Sequence, residues 1–114
     1  MKDWLDNVRA AGAVESIDLI ELGQGDRVLV ETLNSKYLLE VLKPETRMVS
    51  MKSSNQEAPE GKMTLMGCAL GAGSSLAPDR LFCGGHLELN FKNEFSEVMT
   101  HTTSSIQAVY LRQG

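Results

Sequence analysis

Long apolar runs, clustered basic residues and a disulfide framework are all missing from this sequence, and each absence removes a class of protein. The stretch around Leu65 is the most apolar, but Gly67 and Gly71 interrupt it, well short of the about 18 consecutive apolar residues a membrane-spanning helix needs. No membrane partner is expected. Only Cys68 and Cys83 carry thiols, and the opening MKDWLDNVRA has no apolar signal-peptide core, so both cysteines are expected to be reduced in the cytoplasm. The 11 basic and 15 acidic side chains give a formal charge of -4, and the basic ones are dispersed singly from Lys2 to Arg112. A grip on phosphates needs a concentrated positive face. Nucleic acid is therefore not an expected partner unless the fold gathers Arg27, Lys36, Arg47 and Lys52 on one side. There is no internal repeat.

What is present is the composition of one globular domain spanning residues 1–114, with 42% hydrophobic and 23% charged residues. A chain of this size buries roughly 65% of its unfolded surface, enough for one core without covalent staples. Asp3 can cap a short helix over 3–12 in which Trp4, Leu5, Val8 and Ala11 share a stripe and Gly12 is the stop. Two turns of helix are not stable alone, so this one is expected to lie as a lid on apolar surface with Trp4 as anchor.

From residue 15 to 112 the pattern becomes β-rich, with runs over 17–22, 27–32, 37–42, 47–52, 63–70, 81–92 and 98–112. Turn chemistry separates the early runs: Gly23, Gly25 and Asp26, then Asn34 and Ser35, then Lys43 and Pro44, where proline presets φ. The segment 53–62, SSNQEAPEGK, reads as an exposed mobile loop. In the run 81–92, Leu87, Leu89 and Phe91 alternate with His86, Glu88, Asn90 and Lys92, so one face is wet. In the last run Ile106, Ala108 and Tyr110 form one side, while Val109 and Leu111 make the other apolar too. That second face needs a cover, either the N-terminal helix or another subunit. The expected fold is mainly β: a small antiparallel β-barrel of about seven meandering strands with one short N-terminal helix, or, as the alternative, a β-sandwich.

Cys68, Cys83, His86 and His101 form the most specific chemical pattern, with one local C-x-x-H pair. These four donors suit tetrahedral zinc if the strands holding Cys68 and His101 adjoin the turn at Gly84 and Gly85. Structural zinc sites usually carry two local chelating pairs, however, and buried free cysteines with solvent-facing histidines account for the same residues. A cysteine nucleophile with a histidine base would need a third group such as Glu88. Along one strand Glu88 stands about 7 Å from His86, too far for a direct hydrogen bond. The stretch containing Gly71, Gly73, Ser74 and Ser75 lacks the lysine and the following helix of a phosphate-binding loop. The loop over 71–80, which ends at Arg80, is a place for ligand or partner contacts, with His86 and His101 as further candidates. Asp26, Glu31, Glu40 and Glu45 fall where turns or solvated strand faces predict carboxylates. No catalytic constellation rises from these residues. The functional expectation is a noncatalytic protein-binding or assembly module that self-associates as a homo-oligomer, with a small-molecule or metal-binding barrel as the alternative and zinc as the one candidate cofactor.

Overall fold

The computed structural model describes residues 12–55, 57–70, 76–77 and 79–113. Apart from Gly12, the helix expected over 3–12 lies outside them. The chain forms β1 (Ala13–Val14), β2 (Ser16–Asp18), β3 (Arg27–Thr32), β4 (Lys36–Lys43), β5 (Met48–Ser53), β6 (Gly61–Ala69), β7 (Leu76–Ala77), β8 (Arg80–Phe82), β9 (His86–Lys92) and β10 (Val98–Arg112). No helix among the described residues is long and apolar enough to cross a membrane.

Six strands close a barrel. Each neighbouring pair in the order β3, β4, β5, β6, β9, β10 is antiparallel, and β10 returns to pair with β3. Closure removes the open edges that a sandwich would keep. It depends on the 15-residue β10, whose first half pairs with β9 and whose second half pairs with β3. Between the halves the register shifts at Thr102/Ser105 and again at Ile106/Ala108, so the irregularity of β10 begins in its hydroxyl-rich stretch Thr102-Thr103-Ser104-Ser105. β2 and β8 form a separate two-stranded ribbon.

Local chemistry explains most turns. Asp26 Oδ2 accepts from Gly23 N at 2.8 Å, and Gly25 takes φ 87, a left-handed conformation that glycine adopts without steric cost. Asp26 is thereby buried, 6% exposed, and not the surface carboxylate its turn position suggested. Pro44 opens a 3-10 turn that ends at a left-handed Arg47. The run expected over 17–22 is strand only to Asp18. There the Asp18 carboxylate accepts from Ile20 N at 3.1 Å and starts a 3-10 turn over Leu19–Glu21. The run expected over 81–92 is likewise broken, because Gly84 at φ 90 turns the chain between β8 and β9. The loop after β5 is shorter than 53–62, since Ser53 ends β5 and Gly61 begins β6. It is not wholly exposed either: Ala58 packs into the core, and Ser53 N donates to Glu60 Oε2 at 2.8 Å.

The core is the barrel interior. Val28, Val30, Leu39, Val41, Val49, Met51, Met63, Leu65, Leu87, Leu89 and Val109 fill it, with Ile17, Leu19, Leu22 and Leu81 added from outside the six strands. Leu87 and Leu89 face inward as their alternation predicts, and Phe91 packs against the same cluster. β10 differs from expectation. The register shift at Ile106/Ala108 puts Ile106 and Val109 on the same inner side with Leu111, while Tyr110 faces out. One extra residue in a strand reverses the alternation beyond it. Gly67, at φ 122, does the same in β6, and this bulge brings Cys68 inside. On the outer face Tyr110 packs against Leu29 and Leu38, which stand directly opposite each other and are fully or nearly buried.

Candidate functional site

The barrel wall separates the expected zinc ligands. Cys68 is buried in β6 opposite the inward-facing Leu87, whereas His86, one residue before Leu87, lies on the alternate face of β9. Cys68 does adjoin the Gly84/Gly85 turn, with its Cβ 3.1 Å from the position a Cβ on Gly85 would take. Cys83 is exposed and its Sγ donates to the Gln107 carbonyl at 3.6 Å. The His86 Nδ1 lies 3.0 Å from the Thr103 carbonyl; a carbonyl only accepts, so this nitrogen carries the proton. His101 lies elsewhere, opposite Leu89. Among the described residues no three His, Cys, Asp or Glu side chains come together to hold a metal ion. The four are not assembled as a ligand set, because strand alternation and intervening bulges set their directions independently of their spacing.

Nor does a hydrogen bond join either thiol to an imidazole among the described residues. Both cysteines are free. Burial, above all, raises the Cys68 thiol from its ordinary pKa, and the nearby Glu88 charge adds to this against a hydrogen bond with the Phe82 backbone. A thiol kept protonated in this way is a poor nucleophile. Arg80 is exposed, and its guanidinium donates to Ser16 Oγ at 3.0 Å. Gly71, Gly73, Ser74 and Ser75 lie outside the described residues.

His101 instead pairs with Tyr37, a core residue whose hydroxyl lies 3.3 Å from His101 Nε2 with the ring centroids 5.7 Å apart. With Nε2 unprotonated, the hydroxyl donates to it. Burial lowers the His101 pKa from 6.5. The sign follows: below about pH 6.5 the unfolded imidazole takes up a proton that the folded one resists, so folding stability falls as pH drops. The full contribution is present above that pH and is lost toward the lower folded pKa. Urea midpoints compared at about pH 7.5 and about pH 5.5 are expected to differ less for His101→Gln than for the parent. An unchanged difference would contradict the burial effect.

A surface that the sequence did not single out lies where two ladders diverge. β6 pairs with β9 from Thr64/Asn90 to Ala69/His86, but its first residues pair with β5 alone. Among the described residues, Phe91 and Lys92 of β9 therefore pair with β10 alone. The gap is a cleft of about 410 Å³ lined by Met48, Met63, Phe91 and Val98, with Lys62 and Lys92 also on its wall. A second cleft, of about 380 Å³, lies on the outer face of β4, β5 and β6 and shares Lys62 with the first.

Beside the first cleft the hairpin joining β9 to β10 exposes Phe95, Val98 and Met99, at 74%, 65% and 43%. Ile20, Leu33 and Leu70 are similarly bare but lie singly on other segments. The turn itself is well ordered by hydrogen bonds. Asn93 Oδ1 accepts from Phe95 N at 2.9 Å and Glu97 N at 3.0 Å, and Ser96 N donates to the Asn93 carbonyl at 3.0 Å. The sequence signal was the tip itself, Asn93-Glu94-Phe95-Ser96-Glu97, where an aromatic ring stands between two carboxylates. The chain matches no protein-family model, and no curated protein or solved structure matches it.

Proposed function

We propose that this chain is a noncatalytic assembly module of the cytoplasm that associates with itself through the face formed by the β9–β10 hairpin and the adjoining cleft. One observation carries the reading: three large apolar side chains of one hairpin, Phe95, Val98 and Met99, are exposed, and Val98 also lines the adjoining cleft. Exposed apolar side chains concentrated on one hairpin mark an interaction site better than singly scattered ones do. Two unpaired thiols agree with a reducing compartment. The basic residues do not favour a phosphate-binding face, since Arg27 faces Glu40, Lys36 faces Glu31 and Arg47 faces Asp79 at 3.4, 3.8 and 2.8 Å.

Small-molecule binding is the second reading, favoured by the cleft of about 410 Å³, a size within the range of ordinary ligand pockets. A native mass spectrum of freshly purified, chelator-free protein separates the two. A dimer or larger oligomer of bare chains is the expected result. A monomer carrying a stoichiometric added mass would overturn it in favour of ligand binding and identify the ligand by its weight.

A further inference from the structure

We infer that two copies of this chain dock reciprocally, the hairpin tip of each placing Phe95 into the other's cleft between β6 and β9. The inference rests on the self-association reading and specifies its geometry.

The tip is a ready-made knob. Phe95 is 74% exposed, yet its backbone is held by the Asn93 side chain and by a left-handed Ser96 at φ 61. Binding through such a turn orders little that is not already ordered. Its flanks are Glu94 and Glu97. The cleft offers the matching chemistry, with an apolar floor and Lys62 and Lys92 beside it. Neither lysine forms an ion pair with a described residue, while Arg27, Lys36 and Arg47 each have a carboxylate partner. On a chain of net charge -4, these two cations stand next to apolar surface without a carboxylate partner among the described residues.

The tip cannot fill its own cleft. Lys92 and Val98, which pair directly below the turn, are part of that cleft's wall, and a turn this short cannot fold back over its own base. A second copy can. Because the cleft wall includes Lys92 and Val98 at the base of the hairpin that carries the knob, a two-fold axis between copies can engage both contacts at once, which closes a dimer and does not propagate a filament. Two phenyl rings bury only roughly 300–500 Å² together, against the about 1,200 Å² of a small stable interface. Val98, Met99 and the charged rim must supply the rest, so a weak, concentration-dependent dimer is expected.

Sedimentation equilibrium on the full chain tests this. Dilution should dissociate the parent, salt should weaken it, and Phe95→Ser should weaken it by about tenfold or more. Lys62→Glu with Lys92→Glu places acidic tip against acidic cleft and should leave a monomer. Glu94→Lys with Glu97→Lys does the same with opposite sign. Mixed together, these two monomeric variants should form a heterodimer, in which both contacts regain opposite charges; that recovery also shows that both are folded. A parent dimer that Phe95→Ser and both charge variants leave intact would overturn the docking geometry while sparing self-association. A parent that is monomeric at every concentration would overturn both.

Discussion

Replacing Leu89 by alanine is expected to lower the free energy of unfolding by about 2–5 kcal/mol, the range for a leucine removed from a close-packed core. Leu89 is fully buried. It stands between Leu65 of β6 and His101 of β10, directly opposite each on its two sides. Both neighbours are backbone-paired with Leu89 itself, so the wall resists collapse into the vacated space and most of the cavity should remain. The cavity term adds to the lost transfer energy when relaxation is blocked in this way. For a domain of this length such a loss lowers Tm on the order of 10 °C. Circular dichroism during urea unfolding measures it, with Leu33→Ala as the reference, since Leu33 is 70% exposed and its truncation should change stability by about 0.5 kcal/mol or less. A loss at Leu89 no larger than at Leu33 would mean that the interior is loosely filled where β6, β9 and β10 meet.

The same residue marks how far the sequence could be read. Alternation alone points Leu87 and Leu89 inward, and both line the barrel interior. Alternation is reliable only while the register is unbroken, and neither the shift at Ile106/Ala108 nor the bulge at Gly67 has a unique local signature. Unbroken alternation therefore puts Ile106 and Tyr110 on one side, although they face opposite ways. Val109 and Leu111 need no second subunit to cover them, because they point into the core. The Cys and His residues are not brought together among the described residues, for a related reason. Their symmetrical spacing counts residues along the chain, but the direction of each side chain depends on bulges and on the face of the barrel. The cleft was illegible in principle, since it arises where β6 exchanges β9 for β5 as its only partner, a property of strand pairing and not of any residue. Phe95 between Glu94 and Glu97 was not singled out in the sequence, because it falls in the turn between two strand runs.

Gly85→Ala is expected to destabilise the protein by about 1–3 kcal/mol, as overpacking of a tight site does. A Cβ there would lie 2.8 Å from Phe82 Cε2 and 3.1 Å from Cys68 Cβ. The backbone cannot retreat, because Gly85 N donates to the Phe82 carbonyl at 3.2 Å and the Gly85 carbonyl accepts from Ile106 N at 2.8 Å. Nor can Cys68, whose strand is paired on both sides by β7 and β9. The half-buried Phe82 ring is the one neighbour able to move, and moving it removes packing from the core. The adjacent Gly84 has the opposite constraint: nothing lies within 4 Å of its would-be Cβ, but its φ is +90. Asparagine, which tolerates left-handed backbone better than alanine does, should be the milder substitution at Gly84 and should give no such relief at Gly85. Chemical denaturation of Gly85→Ala in the parent and in a Phe82→Ala background completes the test. If the ring is the obstacle, the cost of the added methyl falls in the second background, and the two substitutions are non-additive. Equal costs in both backgrounds would move the constraint from the Phe82 ring to the Cys68 side of the turn.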